Sequence, residues 1–179
     1  MPFAVRARVC LLRDLGSALA PDNAFAIIQG LETVALRMKQ HCENAEKVVN
    51  FLKKHKEVTK VIYSTEHEKK IADRAKQYLK GGNGPMVGIE LKGGIEAGKK
   101  FIESLKMFYH VANIGDVRSL AIHPASTTHS QLNEKELAAS GVTQSYVRLC
   151  IGIEHIDDII DDLDQALNKS SKGSLKAVS

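Results

Sequence analysis

The chain has 179 residues, 44% of them hydrophobic and 26% charged, so it can bury a core and is not a disordered polymer. Aromatic residues make up 5% and tryptophan is absent. The net charge is only +4, and the lysines are interleaved with glutamates. Scarce aromatic rings and the lack of a concentrated basic tract argue against a nucleic-acid-binding protein.

The cysteines and the first residues both bear on cellular location. Cys10, Cys42 and Cys150 are far apart and form no Cys-x-x-Cys pair, which favours reduced thiols over a zinc site. The opening MPFAVRARVCLLRDLG carries arginines within a short apolar stretch, so we expect neither a signal peptide nor a membrane span. Both features predict a cytoplasmic protein.

A long helical pattern begins at Pro21. Apolar residues recur every three or four positions and predict a helix of roughly thirty residues ending near Leu52, with a possible break in the tract HCENAE at 41–46. Such a length is typical of a helix that connects two domains. The apolar stripe consists of Ile28, Leu31, Ala35, Met38, Cys42, Ala45, Val49 and Leu52.

Strand-like and helix-like segments alternate after this helix. The β-branched or alternating segments VTKVIY, MVGIEL, MFYHVAN, RSLAIH and YVRLCIGI predict strands. Helices are predicted at about 66–79, from the Gly93–Gly94 turn to about 105, behind an Asn133/Glu136 capping box through 140, and at about 155–168 with five aspartates on its polar face. The order predicts an α/β layer with helices packed on one sheet, of undetermined strand direction.

Three motifs resemble functional sites but lack the residues that such sites need. The tract GGNGPMVG leads into a strand and lacks the Lys-Ser/Thr of a phosphate loop. His123 and His129 have no carboxylate or thiol nearby in sequence, so a structural histidine is favoured over a metal ligand. Ser119 and Ser126 lack the Gly-x-Ser-x-Gly elbow of a nucleophile.

Arg148 is the most informative single residue, because its neighbours in YVRLCIGI are apolar and a charge there needs a partner. One interpretation pairs it with a structural carboxylate. The other is an arginine fork that binds a substrate carboxylate through two parallel hydrogen bonds.

Four strings resemble the family of PLP (pyridoxal phosphate) enzymes of Cys/Met metabolism, over about residues 4–167. They are RARVCLLRDLGSALAPDNAFAIIQGLETVALRMKQHCENA, GIELKGGIEAGKKFIESLK, VANIGDVRSLAIHPASTTHSQL and VRLCIGIEHIDDIIDDLDQAL. The phrase VANIGD is most similar to the O-acetylhomoserine sulfhydrylase branch. Cys150 departs from the family, which usually has serine there.

The resemblance implies the C-terminal domain of a fold-type I PLP enzyme: a small, mainly antiparallel sheet with helices packed on it, preceded by a long interdomain helix. Residues 1–20 would be a remnant of the large PLP-binding domain or a linker, 21–169 the C-terminal domain with the connecting helix, and 170–179 a flexible tail.

The resemblance also implies roles for single residues. Arg148 would bind the α-carboxylate of a small amino-acid substrate, Asn113 would help orient it, Thr128 would lie at the pocket wall, and Ser119 would be structural. The cofactor lysine would belong upstream of residue 1, so no PLP is expected covalently bound to this chain and the chain alone is expected to be inactive.

The implied activity of the intact enzyme is conversion of O-acetylhomoserine and sulfide to homocysteine and acetate, in a homotetramer built of dimers. Cystathionine γ-synthase and methionine γ-lyase remain alternatives within the family. Outside it, the chain could be a noncatalytic binding or oligomerisation module that uses the apolar stripe starting at Ile28, or one half of a split enzyme.

Overall fold

The computed structural model describes residues 2–171, which form two units that divide between Leu36 and Arg37. The first unit is helical. It contains α1 (Pro2–Arg6), a π-helical turn (Ala7–Leu12), α2 (Arg13–Leu15) and α3 (Pro21–Glu32). None of the described residues up to Leu36 is buried.

The second unit is built on a five-stranded sheet. Its strands are β1 (Val58–Ile62), β2 (Met86–Leu91), β3 (Tyr109–His110), β4 (Leu120–Ile122) and β5 (Tyr146–Cys150), in the order β1-β2-β5-β4-β3. All neighbouring strands pair antiparallel except β3 and β4, which are parallel. This confirms a small, mainly antiparallel sheet, with β5 as its central strand.

Five further α-helices lie within the described residues. They are α4 (Val34–Leu52), α5 (Lys69–Tyr78), α6 (Gly94–Ser104), α7 (Glu134–Ala139) and α8 (Ile156–Ser170), with a short 3-10 helix at Pro124–Ser126. The capping box at Asn133 and Glu136 is present as predicted. Within residues 2–171, none of the helices combines the length and the apolar character that a bilayer crossing requires.

The core lies between one face of the sheet and helices α4, α6 and α8. Alternate residues of β2 and β5, such as Val87, Ile89, Val147 and Leu149, are fully buried there. Each helix contributes residues spaced three or four apart, so that one stripe of the helix faces the core. The helical contribution comprises Ala45, Val48, Val49, Leu52, Ala97, Phe101, Ile102, Ile159, Leu163, Ala166 and Leu167.

The long helix predicted from Pro21 is interrupted at a different place. The break lies at Thr33, whose φ of −106° and ψ of 2° are not helical, and the tract 41–46 is continuous helix. Its polar residues are explained by distant partners: His41 Nδ1 lies 2.6 Å from the carbonyl of Ile151, and Asn44 Nδ2 donates to the carbonyl of Gly152 at 3.0 Å.

Two other predictions need correction. The strand predicted at 107–113 is limited to Tyr109–His110, because 111–117 is irregular and Gly115 has a φ of +92°. The aspartates of α8 do not all face solvent, since Asp162 is buried and its carboxylate accepts hydrogen bonds from the backbone N–H groups of 106–108.

The tail predicted at 170–179 is described only at its first two residues. Ser170 is the buried last residue of α8, and its hydroxyl donates to the carbonyl of Leu167 at 2.7 Å. Residues 172–179 lie outside the described residues.

Candidate functional site

Strand β5 divides its residues between two faces of the sheet. Val147 and Leu149 are fully buried in the core, so Tyr146, Arg148 and Cys150 lie on the opposite face. Arg148 pairs with Gly88 of β2 on one side and with Ile122 of β4 on the other. A guanidinium therefore emerges from the central strand, on the face away from helices α4, α6 and α8.

The guanidinium of Arg148 makes one hydrogen bond within the described residues. Its Nη2 donates to the backbone carbonyl of Asn113 at 3.2 Å. No carboxylate in residues 2–171 lies within ion-pair distance of it. Because arginine carries five N–H donors, most of the hydrogen-bonding capacity of Arg148 is unused by the protein.

Arg118 provides a direct contrast in the adjacent loop. Its Nε and Nη2 donate to the two carboxylate oxygens of Asp116 at 3.2 and 3.1 Å, and its guanidinium lies 4.1 Å from the ring centre of Tyr109. The hydrogen bonds from Arg118 hold the pKa of Asp116 below its usual range. Arg118 is thus paired with a carboxylate of its own loop, whereas Arg148 has no such partner within residues 2–171.

Arg148 lines an open cavity of about 440 Å³, a size that suits a small molecule. The surface of the cavity is mainly apolar, with a few polar groups. Its lining residues include Ile62, Ser64, His67, Ile71, Asn83, Met86, Gly88 and Tyr146 together with Arg148.

Two other ionisable groups lie on the same face as Arg148. Burial raises the pKa of the Tyr146 phenol, an effect that the positive charge of Arg148 partly opposes. Burial also raises the pKa of the Cys150 thiol. Both groups are therefore neutral near pH 7, so they do not cancel the charge of Arg148 and neither is activated as a nucleophile. The arrangement can bind an acid group.

The structure brings together two of the three residues named from sequence. The backbone of Asn113 is hydrogen-bonded to Arg148, but the Asn113 side chain is exposed and accepts the N–H of Ile114 at 2.8 Å. Thr128 is exposed and its hydroxyl lies 2.8 Å from Nδ1 of His129. Within residues 2–171 no hydrogen bond joins Thr128 to Arg148 or Asn113.

His123 and Ser119 both have structural partners. His123 is fully buried between the hydroxyl of Ser126 and the carbonyl of Gln144, each 2.8 Å from a ring nitrogen. The hydroxyl of Ser119 donates to Glu154 at 2.9 Å and accepts the N–H of Gly152 at 2.9 Å. This second network joins the start of β4 to the end of β5 and so supports the strand that carries Arg148.

Sequence reasoning did not single out Tyr146 or Gly88, which line the cavity beside Arg148. The sequence did carry a signal for Tyr146: side chains alternate between the faces of a strand, so a residue two positions before Arg148 shares its face. Gly88 became recognisable only from the pairing of β2 with β5.

A PLP enzyme needs a lysine in a desolvated setting for its Schiff base. The lysines of residues 2–171 are exposed, apart from Lys99, whose side chain is 43% exposed and paired with Glu96 at 2.8 Å. No lysine in this part of the chain therefore fits covalent attachment of the cofactor.

Similarity to known proteins covers nearly the whole chain. Residues 3–168 match the family described as Cys/Met metabolism PLP-dependent enzyme. The chain is 51% identical over 166 residues to O-acetyl-L-homoserine sulfhydrylase of Leptospira meyeri, covering 92% of this chain and 38% of that protein. It is also 43% identical over 159 residues to an L-methionine gamma-lyase of Fusobacterium nucleatum subsp. polymorphum, covering 88% and 40%.

A solved structure of a similar protein shares the fold of this chain. The crystal structure described as an O-acetylhomoserine (thiol)-lyase from Campylobacter jejuni, which carries a pyridoxyl-lysine monophosphate, matches with a TM-score of 0.84 and 43% sequence identity. The match covers 93% of this chain and 40% of that chain. This chain thus spans about two fifths of the length of its relatives, and it belongs to the PLP-dependent family of Cys/Met metabolism enzymes.

Proposed function

We propose that this chain carries the substrate-carboxylate site of a PLP-dependent O-acetylhomoserine sulfhydrylase. The observation that supports this most is Arg148, a cation in a small open cavity with no carboxylate of residues 2–171 within ion-pair distance. A guanidinium fork matches a carboxylate in geometry and charge, so the α-carboxylate of O-acetylhomoserine would complete its hydrogen bonding.

The proposed reaction converts O-acetylhomoserine and sulfide to homocysteine and acetate. PLP supplies the electron sink for such chemistry in the whole enzyme. The contribution of this chain is binding: Arg148 holds the acid group, and the carbonyl of Asn113 restrains the guanidinium. Because no lysine of residues 2–171 is desolvated, we expect the chain alone to be inactive and to form no stable aldimine. Borohydride treatment with PLP followed by mass spectrometry checks this, and stoichiometric labelling of one lysine would contradict it.

Binding of the acid group can be measured on the chain itself. In ¹⁵N-arginine-labelled protein, O-acetylhomoserine should shift the Nε–Hε signal of Arg148, which is assigned by its loss in Arg148→Lys. An analogue with a carboxamide in place of the carboxylate should not shift it. The control is Arg13, an exposed arginine that is paired with Asp14 and does not line this cavity, whose signal should not move. Equal shifts with both ligands, or none with either, would remove Arg148 from the proposed site.

Catalysis requires the rest of an enzyme, so the second experiment uses a chimera. This chain replaces the matching part of the Leptospira meyeri sulfhydrylase, to which it is 51% identical. Arg148→Ala in the chimera should raise KM for O-acetylhomoserine about 10-fold or more, since a charge-assisted hydrogen bond contributes roughly 1.5–3 kcal/mol. Cofactor absorbance should be unchanged. An unaltered KM would contradict the assignment.

Methionine γ-lyase is a second candidate, favoured by the 43% identity to the Fusobacterium enzyme. Cystathionine γ-synthase is a third, in which cysteine replaces sulfide. A second chimera, in which this chain replaces the matching part of the Fusobacterium methionine γ-lyase, separates them. If the chain comes from a sulfhydrylase, the first chimera should form homocysteine from O-acetylhomoserine and sulfide, and the second should release little methanethiol from methionine.

The intact enzyme is proposed to be a homo-oligomer, a tetramer built of dimers, and to work in the cytoplasm. Support for the location is the set of three scattered cysteines, which are all free thiols in the structure.

A noncatalytic binding module remains the rival from another class. It predicts no carboxylate-dependent shift at Arg148.

A further inference from the structure

The neighbour of Arg148 on strand β5, Tyr146, has a ring placed over a glycine. A Cβ atom added to Gly88 would lie 2.6 Å from Cε2 of Tyr146, 2.9 Å from its hydroxyl oxygen and 3.1 Å from Cζ. These distances are shorter than any van der Waals contact, so the phenol end of the ring occupies the space that a side chain at Gly88 would fill. A larger residue at Gly88 would displace the ring.

The strand register shows that this contact lies beside Arg148. Tyr146 itself pairs with Glu90, whereas Gly88 pairs with Arg148. The ring therefore leans along the sheet from its own position to the position directly beside Arg148. On the other side of Arg148 stands Ile122, which is buried. The arginine stem is thus flanked by an aromatic ring and an aliphatic side chain.

We infer that Tyr146, packed on Gly88, is a positioning residue that holds the guanidinium of Arg148 toward the carbonyl of Asn113 and the cavity. Without the ring, Gly88 would offer no side chain on that flank, and the flexible arginine stem could lie across the bare backbone of β2. A pre-oriented fork loses less conformational entropy when it binds an anion, so the ring would raise affinity without contacting the ligand.

This inference rests on the proposed function of Arg148, but its readout needs no ligand. The heteronuclear ¹H–¹⁵N NOE of the Arg148 Nε–Hε group reports the order of the guanidinium in the free chain. Tyr146→Phe keeps the ring and should keep the NOE of the native chain. Tyr146→Ala removes the ring, and Gly88→Ala displaces it, so both should reduce the NOE to the level of exposed Arg74.

Affinity for O-acetylhomoserine should follow the same pattern, falling about 2- to 10-fold in Tyr146→Ala and Gly88→Ala and remaining native in Tyr146→Phe. Backbone amide spectra establish that each variant is folded, and Gly88→Ala decides the matter if Tyr146→Ala does not fold. An unchanged Arg148 NOE in a folded ring-deficient variant would overturn the inference. So would a loss in Tyr146→Phe as large as in Tyr146→Ala, because the hydroxyl would then be the important group.

The two proposals can fail separately. If the NOE falls as expected but no carboxylate binds the native chain, the positioning role stands and the proposed function fails. If a carboxylate binds Arg148 equally well in all variants and the NOE is constant, the proposed function stands and the role of Tyr146 is refuted.

Discussion

Charged and polar residues of this chain differ in whether the protein itself satisfies them. Arg118 is paired with Asp116 and lies over the ring of Tyr109, and Glu154 accepts a hydrogen bond from Ser119, whereas Arg148 makes a single hydrogen bond within residues 2–171 and lines a cavity. A fold gains nothing in stability from an unpaired cation on a mostly apolar strand, because partial desolvation of a charge is unfavourable. This imbalance is what distinguishes a binding residue from a structural one at the level of single side chains.

His123 illustrates the structural case and has a consequence for pH dependence. Its ring is fully buried against Gly98, between Ser126 and the carbonyl of Gln144. Burial lowers its pKa from 6.5, and hydrogen bonding to the Gln144 carbonyl opposes this only partly. Among neighbouring charged groups, Lys99 and His110 lower the pKa further, and Glu96 raises it.

We therefore expect the free energy of unfolding to fall as the pH drops below about 6.5. In that range the unfolded chain takes up a proton on His123 that the folded chain does not, and the loss continues down to the depressed pKa of the folded state. Urea denaturation at pH 7.5 and 5.5 measures the effect. In His123→Gln the free energy of unfolding should differ less between these two pH values. NMR titration of the His123 ring showing protonation of the folded chain above pH 6.5 would contradict the prediction.

At the level of elements, sequence periodicity predicted which segments form helices and strands but not every boundary. Patterns of apolar residues located β1, β2, β5, α6 and α8 within a few residues, because those elements bury one face in a common core. The helix break predicted at 41–46 is wrong, because the polar residues His41 and Asn44 bind partners more than 100 positions away. Such partners leave no local signal in the sequence.

Asp162 is the second example of a distant partner and supports a prediction about stability. Its carboxylate accepts the backbone N–H groups of Lys106 at 2.9 Å and Met107 at 2.8 Å, and so ties α8 to the loop after α6. Asp162→Ala would leave these N–H groups without their acceptor and should lower the free energy of unfolding by roughly 2–4 kcal/mol.

The matched control for Asp162 is Asp161→Ala, one position earlier on the exposed face of α8. It should change the free energy of unfolding by less than about 0.5 kcal/mol. Chemical denaturation of both variants checks the pair. Equal small losses would mean that solvent replaces the carboxylate of Asp162 at little cost.

On the scale of the whole molecule, the candidate site required both kinds of information. Arg148 was identifiable as a charge among apolar strand residues, and Asn113 from the family resemblance. The cavity and the Tyr146–Gly88 contact depend on which strands are neighbours, and the sequence left strand direction and order undetermined. The apolar stripe was predicted over its full length, yet it is buried only from Cys42 onward, whereas Ile28 and Leu31 are 52% and 62% exposed.

The exposed part of the stripe leads to a prediction about assembly. Helix α3 presents Phe25, Ile28 and Leu31 to solvent, and Phe3 and Leu15 are also exposed in the same unit. Apolar surface of this extent on a water-exposed helix favours association, and an identical helix from a second chain offers a matching face. Light scattering coupled to size-exclusion chromatography should therefore give a mass that is a multiple of 19.6 kDa and depends on concentration.

The double variant Phe25→Ser/Leu31→Ser should shift this equilibrium toward the single chain by at least about 10-fold, since burying each large apolar side chain contributes roughly 1.5–3 kcal/mol. Lys92→Ser, an exposed position in the turn after β2, is the control and should behave like the native chain. A native chain that elutes as one copy at every concentration would show that α3 does not mediate self-association. It would also weigh against the binding-module alternative, because that alternative depends on the same apolar face.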